Sequence, residues 1–256
     1  MSESAQLATV RALVRRGLNE IMRVPGAAIP GVLAPTIFFL GLTAVFGNLT
    51  LLPGFTTESY QSFLIPVSLL QAAGFTGAAT GVNLARDIEA GWFDRLLASP
   101  ASRPSLLAGL VLSASFRVLI PAAFLLAVAF ALGAHWPGLG GLVIAIVLVM
   151  GMAIVAAAWG VSLALRYKSQ SAAPLMQAGM LVLILTTTAY APLALLTGWL
   201  QEVARYNPVT QILEAARQGF VGSVTWAETW PGLLALAGLT AILTATALRG
   251  MRRATY

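Results

Sequence analysis

Apolar and polar positions along this chain are arranged in long blocks. No residue is charged from Val24 to Thr57, from Ser59 to Ala85, from Val118 to Leu165 or from Ser169 to Gln201. About 20 apolar residues carry a helix across the ~30 Å hydrocarbon core of a bilayer, so the blocks predict about six spans. The first runs from Ala27 to Gly47 and the second from Ser59 to Ala85. A third lies within Pro104 to Leu132, and Gly133-Ala134-His135-Trp136-Pro137-Gly138 separates it from a fourth. The fifth starts at Ser169 and ends near Tyr190-Ala191-Pro192, and the sixth covers Gly232 to Leu248. Ahead of the spans, residues 1–24 hold Leu7, Val10, Val14, Leu18 and Ile21 at spacings of three and four, with Arg11, Arg15, Arg16 and Asn19 off that stripe. Such a basic amphipathic helix lies on the membrane surface, or else forms the solvated end of the first span; Pro25-Gly26 breaks it. Residues 191–230, before the last span, are more polar and include Trp199, Arg205, Trp226, Glu228 and Trp230. Within them Asn207 can cap a helix with Pro208 at its first position, and Glu214 and Arg217 form a pair three apart on it. That helix is too short and too polar to span.

Composition agrees with the blocks. The 256 residues are 58% hydrophobic and only 9% charged, against about a quarter charged in soluble domains; the pattern is that of an all-α integral membrane protein. A net charge of +6 does not indicate nucleic acid, because the basic residues fall at the ends of apolar runs and not in one aromatic-interleaved patch. Cytosol-facing loops of membrane proteins are enriched in Lys and Arg. With both termini inside, that side holds Arg11, Arg15, Arg16, Arg23, Arg86, Arg95, Arg103, Arg166, Lys168, Arg249, Arg252 and Arg253, twelve of the fifteen basic residues. Arg205 and Arg217 fall outside and Arg117 within the third span. The absence of cysteine and the single histidine, His135, leave no set for a thiolate or histidine metal site. His135 beside Trp136 fits an outer interfacial turn. Glu3 and its polar neighbours precede any apolar run, so no removable signal peptide is expected.

Two features inside the spans need partners. Arg117 would cost at least about 2.5–3.5 kcal/mol at mid-bilayer; it faces a protein or water-filled interior, as part of a translocation path, or snorkels at the inner interface, and the interface is the expectation. Gly77-x-x-x-Gly81 permits close helix approach, within the chain or between two chains.

Between the second and third spans lies Arg86-Asp87-Ile88-Glu89-Ala90-Gly91-Trp92-Phe93-Asp94-Arg95-Leu96-Leu97-Ala98-Ser99-Pro100-Ala101-Ser102-Arg103, with three of the nine acidic residues and three of the fifteen basic ones. Its pattern predicts a short amphipathic helix capped by Asp87, packed through Phe93, Leu96 and Leu97, and ended by Ser99-Pro100. Its charges can serve as an acid–base pair, as a self-paired solvated face, or as a surface for docking a partner.

This island, as Asp87-x-Glu89-x-Gly91-x-x-Asp94-Arg95-Leu96-x-x-Ser99-Pro100-x-x-Arg103, resembles the signature of the ABC-2 type permeases, and within them the daunorubicin/doxorubicin-resistance group. Tyr206-Asn207-Pro208-Val209-Thr210, followed by Glu214-Ala215-x-Arg217 and Gly222, is similar to the same family's outer segment. Trp92-Phe93 and Leu97 depart from the usual residues at their positions. The resemblance covers the whole chain as one transmembrane domain. It implies that residues 86–103 form a cytoplasmic coupling helix, with Asp87, Glu89, Gly91, Phe93, Asp94, Arg95, Ser99 and Pro100 serving contact with an ATPase. It further implies that the segment holding Asn207, Pro208, Glu214 and Arg217 re-enters the outer leaflet. Two separate ATPase subunits would bind ATP and Mg, a second permease copy or paralogue would complete the complex, and lipids would surround it in the cytoplasmic membrane. The sequence contains no Gly-x-x-x-x-Gly-Lys-Ser/Thr phosphate loop, so the chain itself is expected to need no cofactor and to be no enzyme. An exporter of an amphipathic, drug-like or lipid-like substrate is therefore the leading expectation. An ion-coupled secondary transporter or channel would place more ionisable groups at mid-bilayer, and an intramembrane enzyme would need polar catalytic pairs there.

Overall fold

The computed structural model of the protein describes residues 3–23, 29–53, 55, 57 and 59–253. The break at Pro25-Gly26 and the loop residues Gly54 and Glu58 lie outside the described residues, as do the side chains of Ile21 and Arg23. The described chain is helical: α1 (Glu3–Arg23), α2 (Ile29–Phe46), α3 (Tyr60–Glu89), α4 (Trp92–Ala98), α5 (Arg103–Arg117), α6 (Leu119–Ala131), α7 (Gly138–Tyr167), α8 (Ala173–Leu185), α9 (Gly198–Tyr206), α10 (Pro208–Val221) and α11 (Trp226–Arg253). Among the described residues, five stretches are long and apolar enough to cross a membrane: Gly31–Leu51, Tyr60–Glu89, Arg103–Ala131, Gly138–Tyr167 and Trp226–Arg253.

The fifth expected span is shorter than the sequence suggested. Its apolar helical stretch, Gln170–Leu185, reaches only about 24 Å at 1.5 Å per residue, and the chain leaves the helix at Thr186. Carbonyls released at a helix end must be satisfied when buried. Here Asn207 Nδ2 donates to the Leu183 carbonyl at 2.8 Å and to Thr186 Oγ1 at 3.1 Å, so the early exit is stabilised by the helical segment that follows. The third span is interrupted as well. Pro121 has no N–H for the Arg117 carbonyl, and α5 passes to α6 through a turn at Val118.

Helix α3 is the spine. In its most apolar stretch 83% of the residues are buried, compared with 17% in Gly31–Leu51 and 17% in Trp226–Arg253, so α2 and α11 sit at the periphery. A Cβ at Gly77 would stand 2.5 Å from the Ala153 carbonyl oxygen, and one at Gly81 would stand 2.3 Å from the Gly160 backbone. The Gly77-x-x-x-Gly81 pair therefore seats α3 on α7 within the chain. Helix α11 in turn packs on α7 in the same direction, Leu236 against Gly151 and Gly250 against Leu165, while α8 runs opposite to α3.

Helix α1 is not a free-lying surface helix. Its Leu13 and Gly17 are buried against α5, where Gly109 and Ser113 are the close neighbours, and Gln6 accepts from the Ser105 hydroxyl. Leu7, on the stripe the sequence singled out, is exposed. The helix thus meets the protein through Gln6, Leu13 and Gly17, while Leu7 turns outward and Val10, Val14 and Leu18 are half-buried.

Candidate functional site

The charged island forms a corner, not one helix. Helix α3 runs on through Asp87 to Glu89, and Gly91, with φ +68°, turns the chain before α4 starts at Trp92. A left-handed glycine at a helix end is the usual device for this. Asp87 accordingly does not cap the short helix. It lies in the last turns of α3 and takes a two-pronged contact from Arg16, at 2.9 and 3.1 Å. The Arg16 guanidinium also lies over the Trp92 ring, 3.7 Å from its centroid. Arg86 pairs with Glu20 at 2.9 Å. Glu89 is engaged too, accepting from the Gln170 backbone N–H at 2.9 Å and its side-chain amide at 2.6 Å. Three of the island's charges therefore tie it to α1 and to the start of the fifth apolar stretch.

Helix α4 is held by Phe93 and Leu97, both buried, with Leu96 half-buried beside them. Its exit follows the expected chemistry: Ser99 is extended before Pro100, and its hydroxyl donates to the Leu96 carbonyl at 2.6 Å. Ser102 then caps α5, accepting from the Ser105 N–H. What remains outward is Asp94, Arg95, Ala98 and Pro100. Of the charged flank expected to face a partner, Asp94 and Arg95 are presented, and Glu89 is exposed as well while it holds Gln170.

At the opposite end of α3 lies a buried polar cluster. Asn207 caps α10, accepting from the Val209 N–H at 2.9 Å, with Pro208 in the first turn. Arg217 and Glu214 pair at 2.7 Å as expected, but Arg217 is not on an outer surface: its side chain is 2% exposed. Its guanidinium donates to the Phe63 carbonyl at 3.2 Å and the Thr188 carbonyl at 2.9 Å, and it stacks on the Phe63 ring at 3.8 Å. Thr188 donates to Glu214. Close by, Tyr60 donates to the Tyr190 carbonyl and Gln71 to the Tyr190 hydroxyl, at 3.1 and 3.0 Å. One residue thus bonds α10, α3 and the chain that leaves α8. Gln71, Thr188 and Tyr190 escaped the sequence reading, although lone polar groups inside an uncharged block are the signal that marks them.

Arg117 is 5% exposed, buried against the neighbouring helices. Its guanidinium donates to the Thr80 hydroxyl beside a small cleft, about 30 Å³, between α1, α3 and α5. Helix α1 covers one side of it, where Gly17 sits directly over Ser113. The sequence could not foresee this, since the packing of α1 on α5 uses residues outside its apolar stripe.

The family model for the ABC-2 type transporter matches residues 8–221, a stretch containing both the corner and Arg217. The daunorubicin-resistance ABC transporter permease DrrB1 of Streptomyces coeruleorubidus is 26% identical over 239 residues, 91% of this chain and 82% of that protein. The ycf38 protein of Pyropia yezoensis, named as a candidate transport permease, is 29% identical over 226 residues, covering 85% and 75%. A candidate doxorubicin-resistance ABC transporter permease, DrrC of Mycobacterium tuberculosis, is 26% identical over 251 residues, covering 94% and 86%.

Proposed function

The chain belongs to the ABC-2 type transporter family, and from that membership we propose that it is the permease subunit of an ATP-driven exporter in the cytoplasmic membrane. Two ATPase subunits hold ATP and Mg and dock on the corner at residues 86–103, and a second permease, identical or paralogous, completes the path. Both termini lie in the cytosol, in keeping with the twelve basic residues on that side. The drug-resistance names of relatives and the apolar surfaces of α2 and α11 support an amphipathic, drug-like or lipid-like substrate.

The observation that carries this reading is the corner. A membrane subunit that borrows its energy needs a rigid element that a partner can push. Helix α4 has that form: Phe93 and Leu97 fix it to α3, Gly91 sets its angle, and Asp94 and Arg95 face outward. Helix α3 carries the displacement over about 39 Å of continuous helix to Phe63, whose carbonyl binds Arg217. The same helix thus meets the partner at one end and the buried segment before the last span at the other. Arg117 braces α1 against α3 in this scheme and faces their seam, not an open path.

The test is reconstitution with the ATPase, with docking, hydrolysis and export measured separately. Truncating one member of a desolvated pair across an interface costs about 2–5 kcal/mol. Asp94→Ala and Arg95→Ala are therefore expected to weaken docking or uncouple hydrolysis from export while leaving insertion intact. Gly91→Pro acts more severely, because proline cannot take a φ of +68°. Wild-type docking, hydrolysis and export in both alanine variants would overturn the coupling role.

A further inference from the structure

Where α7 and α11 end side by side, a cleft of about 710 Å³ opens between them, within the size range of small-molecule sites. Its floor is apolar, made by Trp159, Leu163, Leu165 and Leu243, and Ser162 and Thr246 face each other across it at 3.3 Å. Its rim carries Arg166, Lys168, Arg249 and Arg253, and no carboxylate is among its described lining residues. The concave surface over α1 differs: Glu20 lines it, and its Arg16 and Arg86 are already paired.

Cations at helix C-termini offset the helix dipole, so part of this charge has a structural use. Two helix ends present only about half a negative charge each, against Arg166, Lys168 and Arg249 on the rim; a positive excess remains. The depth is informative as well. Helix α7 has 30 residues, about 45 Å, against a hydrocarbon core of ~30 Å, so its charged last turn projects to headgroup level. A soluble anion would use the rim and leave the apolar floor unfilled, and a neutral lipid would use the floor and leave the cations unanswered. We propose that this cleft is a binding site for an anionic phospholipid, its phosphate held by Arg166, Lys168 and Arg249 and its chains laid over Trp159 and Leu243. Basic recesses between membrane helices on the cytoplasmic side suit such headgroups. The site is separate from the corner where the ATPase docks.

The experiment is native mass spectrometry of the purified permease with dioleoyl phosphatidylglycerol and dioleoyl phosphatidylcholine as probes. It requires neither ATPase nor transport, so its outcome is independent of the exporter reading. Phosphatidylglycerol is expected to be retained at least about tenfold more tightly, since each basic residue near a headgroup contributes about fivefold. The triple variant Arg166→Gln/Lys168→Gln/Arg249→Gln should weaken that retention about hundredfold, whereas Arg11→Gln/Arg15→Gln, which removes two exposed cations elsewhere, should leave it within about twofold. Ser162→Trp fills the cleft without altering charge and should also release the lipid. Equal retention of the two lipids, equal losses in the two charge variants, or full displacement of phosphatidylglycerol by millimolar inorganic phosphate would each overturn the proposal; the last would make the cleft a free-anion site.

Discussion

Two arginine–carboxylate pairs mark the two ends of α3, nearly identical in length and opposite in surroundings. Arg16 meets Asp87 at 2.9 Å with its side chain 42% exposed; Arg217 meets Glu214 at 2.7 Å with its side chain 2% exposed. The exposed Arg16 can exchange its partner for water at little cost, which suits the docking role proposed for the corner. The buried Arg217 cannot. Arg217 also answers the Phe63 and Thr188 carbonyls, so its loss would strand backbone groups on two elements at once. Distance alone says little about either pair; what each side chain would face if its partner left says most.

The largest effect therefore belongs to Arg217. Arg217→Met keeps bulk but leaves the Phe63 and Thr188 carbonyls without their donor, and each buried acceptor left unpaired costs about 1–3 kcal/mol; Glu214, 43% exposed, can turn to water. The expected result is a clear loss of thermal stability of the detergent-purified protein, followed by size-exclusion chromatography after heating. Arg217→Lys should recover little of it, because an ammonium cannot reproduce the fork of contacts. Wild-type stability in Arg217→Met would erase the distinction between the two ends.

Next comes the seam that joins them. Gly81→Val places a branched side chain where a Cβ would already lie 2.3 Å from the Gly160 backbone, forcing α3 and α7 apart. Overpacking typically costs about 1–3 kcal/mol, and backbone neighbours cannot move aside as a side-chain tip can. Gly41→Val, at a position where a Cβ would meet nothing within 4 Å, is the control in the same assay and should be near neutral. A smaller loss, about 1–2 kcal/mol, is expected for Gly91→Ala. Its Cβ would also meet nothing within 4 Å, but φ is +68°, so the cost is backbone strain alone. Because Gly91 sets the angle of α4, ATPase docking should fall further than stability does.

The sequence made the membrane spans legible because block length and the absence of charge leave few alternatives. It also identified Gly77-x-x-x-Gly81 as a close contact, though not which helix it met. The Asn207 cap and the Glu214–Arg217 pair were readable because both are local, set by spacings of two and three residues. The errors share a cause: they depend on residues far apart in the chain. Asp87 was read as a cap from its position before the island, yet Arg16, 71 residues away, decides its partner and α3 runs through it. Thr186 ends α8 early because Asn207 supplies the missing donor. Arg117 has its cover from α1, where Gly17 lies against Ser113 and the Arg117 stem, a contact that joins distant parts of the chain. No apolar stripe in α1 announces this, because the face it turns to α5 combines Gln6, Leu13 and Gly17, of unlike residue types, and leaves Leu7 outside.

The smallest effect is the sharpest test of the opening contrast. Arg16 has two partners, the Asp87 carboxylate and the Trp92 ring, and reaches both from a side chain that is 42% exposed, Asp87 itself being 14% exposed. An exposed ion pair is worth about 0.2–1 kcal/mol and an exposed cation–ring contact about 0.5–1 kcal/mol. A double-mutant cycle with Arg16→Ala and Asp87→Ala should accordingly return a coupling below about 1 kcal/mol. That coupling should shrink in 0.5 M salt, where the screening length falls to about 4–5 Å. Arg16→Lys separates the two contacts, keeping the charge for Asp87 while losing most of the planar stack on Trp92. If the cycle gave several kcal/mol, insensitive to salt, the corner would be a locked core like the one around Arg217, and a partner could not engage it without first breaking it open.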